Sequence, residues 1–234
     1  MPKPPSSAFT SVPPVGSPFP STHNVKTGKT TASKTGPGQF KVEQTFYVNP
    51  VTWQEHKTTW KICQLCDLCH TRRKVVLGRG NLPAPLLLVG EAPGDSEDVH
   101  GLPMWGPAGD LLQLIIDDSV PASVPYFITN LIGCVPKNDG GDKSGPPPEP
   151  SIKACTPRLQ EIFRICSPKV LVCVGEHSKK WVPKVLGEMP EYAKLVKVFH
   201  VLHPAYLIRL DKMDRVLPIK QVQATLEHAA LLCK

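Results

Sequence analysis

The chain has 234 residues, 41% hydrophobic and 20% charged, which suits one domain with an appendage and excludes a wholly disordered or fibrous protein. Its 27 prolines are more than twice the usual share of about 5%, and 27 Lys and Arg against 20 Asp and Glu give a net charge of +7. No apolar run approaches the roughly 18 residues that cross a bilayer, so a protein spanning a membrane by helices is excluded.

Residues 1–48 are rich in Pro, Ser, Thr, Lys and Gly, with no apolar periodicity. Such a segment buries too little surface to offset ordering entropy, and a disordered basic tail is expected there. Five lysines against Glu43 give it +4. The opening residues Met1-Pro2-Lys3-Pro4-Pro5 show no apolar stretch of the secretory kind, so an intracellular, cytoplasmic protein with reduced thiols is expected. Residues 57–80 then carry Lys57, Lys61, Arg72, Arg73, Lys74 and Arg79 against Asp67, a local excess of +5 that suits a phosphate backbone.

From about residue 51, short buried-strand runs alternate with helical stretches over the expected domain, residues 49–234. Leu86–Val89, Tyr126–Leu131, Lys169–Val174 and Val198–Leu202 have the pattern of strands. Helical spacing runs over 108–118, with Leu111, Leu112, Leu114 and Ile115 on one face, over 151–166, and over about 218–232. Four strands separated by helices predict a three-layer α/β/α fold around a central four-stranded parallel sheet. In such sheets ligands bind beyond the carboxyl ends of the strands. Those ends carry Gly90-Glu91-Ala92-Pro93-Gly94, Thr129-Asn130, Gly175-Glu176-His177 and His203-Pro204, so Glu91, Asn130 and His203 are expected in one cleft.

The residue types suggest a chemistry. An Asn offers a donor and an acceptor, as the hydrogen-bonding edge of a nucleobase requires. A His donates to an anionic oxygen. A carboxylate such as Glu91 positions water or stabilises a cationic sugar. Gly90–Gly94 is neither a Walker loop nor a dinucleotide fingerprint, which removes nucleotide hydrolysis.

Eight cysteines remain. Cys63, Cys66 and Cys69 form two overlapping C-x2-C pairs, and Cys134 and Cys155 flank a Pro/Gly-rich loop. Four thiolates suit zinc or an iron-sulfur cluster, and spacing alone separates neither the metals nor the 63/66 and 66/69 pairs. Cys166 and Cys173 lie on apolar faces as core residues, and Cys233 has no assigned role.

Taken in order, Cys63-x2-Cys66-x5-Arg72, GEAPGDSED at 90–98, GLPMWGPAG at 101–109, YFITNLIGC at 126–134, Cys155 and HPAYLIR at 203–209 resemble the family 4, iron-sulfur uracil-DNA glycosylases. The likeness covers about residues 60–232. It implies a DNA repair enzyme that flips uracil out of single- or double-stranded DNA and hydrolyses its N-glycosidic bond as a monomer, leaving an abasic site. It also implies a structural 4Fe-4S cluster on Cys63, Cys66, Cys134 and Cys155, which favours the 63/66 pair. Catalytic roles fall to Glu91, on the attacking water, and His203, on the leaving base. Asn130 reads the base, Glu97 rejects the methyl of thymine, and Ala92 belongs to the binding site. Ala205, Tyr206 and Leu207 wedge into the duplex, with Arg209 near phosphate.

Two departures stand out. Met104-Trp105 occupies the place of the family's stacking Phe, so either Met104 covers the base or Trp105 turns inward. Residues 140–144 form an apparent insertion without the motif of the DNA-crosslinking branch, and no crosslinking is expected. An iron-sulfur nucleic-acid-binding module, a glycosylase of altered base specificity and a zinc scaffold are the alternatives.

Overall fold

The computed structural model describes residues 51–137 and 144–234, which lie in one unit, Phe46–Lys234. The tail at 1–48 and most of the insertion at 140–144 fall outside the described residues.

The elements run α1 (Trp53–Trp60), β1 (Arg79–Gly80), β2 (Leu86–Gly90), α2 (Asp95–His100), α3 (Pro107–Ser119), β3 (Tyr126–Asn130), α4 (Glu149–Cys166), β4 (Val170–Val174), α5 (Glu176–Gly187), α6 (Pro190–Ala193), β5 (Lys197–Val201), α7 (Pro204–Arg209) and α8 (Val216–Leu231). The sheet order is β1-β3-β2-β4-β5. β2, β3, β4 and β5 pair in parallel, and β1 pairs antiparallel to β3. The sheet therefore has five strands rather than four. The fifth is two residues long and contains Gly80 at φ 119°, too brief to leave an alternating apolar pattern.

β2 and β4 are buried at every position, so their unbroken apolar runs face helices on both sides. Leu87, Val89, Phe127 and Leu171 pack with Leu159, Ile162 and Phe163 of α4 and Trp181, Val182 and Val185 of α5. Leu86, Leu88, Ile128 and Val172 pack with Leu112, Ile115 and Ile116 of α3 and Val222, Leu226 and Ala229 of α8. Alternate side chains of each strand thus feed two cores, and the three-layer arrangement follows.

The face of α3 differs from expectation. Leu114 is 63% exposed, and Ile116 and Ser119 complete the buried stripe instead, because the stripe follows 109, 112, 115, 116 and 119. Cys233 is also buried, with its thiol donating to the Ala229 carbonyl. None of the described helices is long and apolar enough to cross a membrane.

Candidate active site

A cleft of about 320 Å³ opens beyond the carboxyl ends of the parallel strands. Glu91 and Ala92 after β2, Glu97 of α2, Trp105, and His203, Tyr206 and Arg209 around α7 line it. Glu91 is fixed by the turn between β4 and α5. Its Oε1 accepts from the His177 backbone N–H at 2.9 Å, at the N-terminal, positive end of α5. Only glycine fits the approach at 175, where φ is 99° and a Cβ would lie 2.3 Å from that oxygen.

His203 caps α7. Its Nδ1 accepts from the Ala205 N–H at 3.2 Å, which assigns the remaining ring proton to Nε2 whenever the imidazole is neutral. Burial holds His203 below the ordinary imidazole range, against the pull of Glu91 and with the help of Arg209. The ring is thus kept uncharged with an N–H to donate.

Asn130 ends β3 and is itself buried, one hydrogen bond behind the open cleft. Its Nδ2 donates to Glu97 Oε2 at 3.1 Å. Burial pushes the Glu97 carboxyl up to about 7, although the Asn130 amide, the Met104 N–H and the Arg79 guanidinium all favour its anion. The other members of the acidic run serve the fold. Asp95 pairs with Lys137, and buried Asp98 accepts from the backbone N–H groups of Arg73 and Lys74.

Met104 and Trp105 divide their expected tasks. Met104 is buried at φ 52°, a left-handed conformation made possible by Gly109, where any Cβ would strike the Met104 carbonyl. Its methyl lies over the Cα of Gly90. Trp105 lines the cleft but stacks on His100 at 4.8 Å rather than turning inward. In α7, Leu207 is fully buried in the core of the α3 and α8 face, so it does not belong to a surface wedge. Tyr206 and Ile208 are the apolar side chains that α7 exposes.

A second grouping brings the segment before the sheet together with the stretch after β3 and with α4. Cys63 interacts electrostatically with Cys155 and Cys66, and Cys134 interacts with Cys155, Cys66 and Cys63. Cys69 takes no part in either set. Burial pushes the Cys134 thiol up to about 12, opposed by Arg72, whose guanidinium also donates to the Cys63 carbonyl.

The model of the Uracil DNA glycosylase superfamily matches residues 77–227. The chain belongs to this superfamily. Relatives place it among the type-4 members. It is 32% identical over 170 residues to a type-4 uracil-DNA glycosylase of Saccharolobus solfataricus, which covers 66% of this chain and 76% of the relative. The type-4 enzyme of Thermotoga maritima is 34% identical over 157 residues, 64% of this chain and 79% of the relative. That of Archaeoglobus fulgidus is 32% identical over 160 residues, 62% and 78%.

The site also rests on a residue that the sequence patterns do not mark. Arg158 of α4 is 1% exposed, and its guanidinium donates to the carbonyls of Asn130 and Leu131 and to Thr129 Oγ1. It grips the end of β3 from below while Glu97 holds the Asn130 side chain from above. No short motif announces this. The one available signal is a lone arginine on the apolar stripe Ile152, Cys155, Leu159, Ile162.

Proposed function

We propose that this protein removes uracil from DNA by hydrolysing the N-glycosidic bond and leaves an abasic site. The supporting observation is that Glu91, the Glu97–Asn130 pair and His203 gather at one sheet end, in a member of a superfamily whose type-4 relatives are named as uracil-DNA glycosylases.

A flipped base enters the cleft and its imide edge meets Asn130. His203 Nε2–H donates to O2 as the N1–C1′ bond breaks and its electron pair leaves with the base, so a neutral imidazole stabilises the departing anion. The carboxylate of Glu91, with Oε1 committed to the backbone, keeps Oε2 for the water whose oxygen bonds to C1′. That water gives up its proton to the carboxylate or to solvent, and the abasic sugar is complete. Glu97 stands at the C5 side, against a thymine methyl. Tyr206 fills the space left in the duplex, and Arg209 meets phosphate; unstacking costs a few kcal/mol, which such contacts offset.

Cys63, Cys66, Cys134 and Cys155 would hold the cluster, since Cys63 and Cys134 each lie within electrostatic reach of Cys66, Cys155 and the Arg72 cation. Among the described residues no group of three or more Cys, His, Asp or Glu is arranged to hold a metal ion. A 4Fe-4S cluster there would brace the wall that joins the basic segment at 57–80 to β3 and α4.

The test is release of uracil from a labelled oligonucleotide, with alkali to reveal abasic sites, using protein whose iron content is measured on the same preparation. Abasic sites at uracil positions are expected. Absence of release from both single- and double-stranded substrates by iron-replete protein would exclude the proposal. The buried methyl of Met104 beside Gly90 favours a second outcome, release of a different modified pyrimidine, which a panel of damaged bases reads directly.

A further inference from the structure

An exposed apolar side chain carries no message by itself, since most protein surfaces show many. Trp105 differs in two respects. It lines the same cleft as Glu91, Glu97 and His203 and yet is 45% exposed, so it stands at the rim. Its ring is also held flat. Among the described residues its ring partner is the His100 imidazole, with centroids 4.8 Å apart and planes at 24°. The imidazole is itself fixed, because its Nδ1 donates to the Ser96 carbonyl at 2.8 Å, one turn earlier in α2. With one face of the indole covered in this way, the opposite face is the one a ligand can meet.

The backbone is built to present this ring. Met104 at φ 52° and Gly106 at φ 104° bracket Trp105, so both neighbours lie in the left-handed region that favours glycine, and one of them is not glycine. These two bends send Met104 into the core and Trp105 to the rim. Positive charge lies alongside. Lys74 runs over Gly101, the residue after His100, where a Cβ would lie 3.2 Å from the Lys74 Cδ, and Arg209 lines the cleft as well. A flat π-face with cations nearby supplies what a nucleotide needs, stacking for its base and countercharge for its phosphates.

Resting on the proposed uracil release, we infer that Trp105, backed by His100, is a stacking platform for the nucleobase that adjoins the extruded uracil in single-stranded DNA. The cleft behind the rim takes the uracil, and the next nucleotide of the strand lies one backbone step away, at the rim. In a duplex that neighbour stays paired and stacked within its own helix and has no use for the indole. In a single strand it lacks those contacts, and the platform replaces them without regard to sequence, because every base has a π-face. Trp105 thus favours the strandedness of the substrate, while the residues inside the cleft choose the base.

The experiment uses single-stranded oligonucleotides with one uracil, in which the adjoining nucleotide on one side or the other is either normal or reduced to a spacer without a base. Uracil release gives KM and kcat for wild type, Trp105→Leu and Trp105→Phe. Removing the stacked neighbour is expected to raise the wild-type KM about tenfold, the worth of one base on an aromatic ring, with kcat little changed. Trp105→Leu should already have the raised KM and show no further rise when the neighbour is removed, whereas Trp105→Phe recovers part of the difference. The Trp105→Leu defect should be smaller on the matched duplex. Binding is followed in parallel by fluorescence anisotropy with 2′-fluorodeoxyuridine in place of the nucleotide, whose fluorine disfavours the cationic sugar and prevents turnover; the same tenfold dependence on the neighbour is expected in wild type and not in Trp105→Leu. A wild-type affinity indifferent to both neighbouring bases overturns the platform, and this arm needs no variant to fold. Equal sensitivity in wild type and Trp105→Leu overturns it as well, by placing the stacking elsewhere. Wild type that binds with the expected dependence on the neighbour but releases no uracil overturns the proposed function instead, so the two failures are distinguishable.

Discussion

Burying Glu97 costs stability that depends on pH, and the sign is fixed by the direction of its displacement. Its carboxyl moves from 4.5 to about 7, so between those values the folded chain binds a proton that the unfolded chain has released. Stability from this group is therefore greatest below pH 4.5 and falls as pH rises through about 7. Above pH 7 the ionised form costs on the order of 3 kcal/mol, an upper bound because one side of the group faces the cleft. Glu97→Gln should raise the melting temperature by several degrees at pH 8 and leave it nearly unchanged near pH 4.5, as differential scanning calorimetry would show. His203 works in the other direction. Its depressed value keeps the ring neutral down through pH 6.5, so turnover should persist there and be lost only in more acid solution. His203→Ala should cut kcat by about 10²–10³-fold and abolish that acid limb, measured as a pH–rate profile. Glu91, Asn130 and His203 were legible in the sequence because each follows an apolar strand, and a strand end is where a parallel sheet displays its chemistry. Arg158 was not, since its partners are backbone carbonyls 27 and 28 residues away, and no side-chain pattern encodes them.

At the level of elements, α4 and β3 are joined by that arginine, and α7 carries the face proposed to meet a duplex. Arg158→Leu would orphan the carbonyls of Asn130 and Leu131 at about 1–3 kcal/mol each, partly offset by removing a buried charge. A lower unfolding midpoint in urea together with a raised KM for uracil is expected. Tyr206→Ala should weaken release from double-stranded DNA more than from single-stranded DNA, because only the duplex needs a filler for the vacated base; matched rate comparisons on the two substrates check this. The four long strands and α3, α4 and α8 could be placed from periodicity alone. α5 escaped notice even though Ser178, Trp181, Val182 and Val185 keep helical spacing, since Pro183 and a run of charged residues mask the stripe. α1 leaves little periodicity despite a capping box between Thr52 and Glu55, because its apolar content is two tryptophans, Trp60 buried with His56 against Glu161 of α4 and Trp53 half-buried against Phe127. The inward turn of Met104 is likewise hidden, as it depends on Gly109 in the first turn of α3.

Across the whole molecule, the cluster proposed on Cys63, Cys66, Cys134 and Cys155 would tie the segment before the sheet to the stretch after β3 and to α4. Cys134→Ser should reduce bound iron and lower thermal stability, whereas Cys69→Ser should leave iron content unchanged; iron analysis with visible absorption on both variants separates the two registers. An unchanged iron content in Cys134→Ser and a reduced one in Cys69→Ser would reverse the assignment. β1 matters on this scale as well. As the edge strand beside β3 it is only two residues long, so a strand from another molecule finds too short a ladder there to extend. The opposite border is β5, which begins with exposed Lys197. Two copies meeting in parallel along that border would set their Lys197 side chains side by side, and so the architecture that displays a cleft at one sheet end also discourages the sheet from growing sideways in that register.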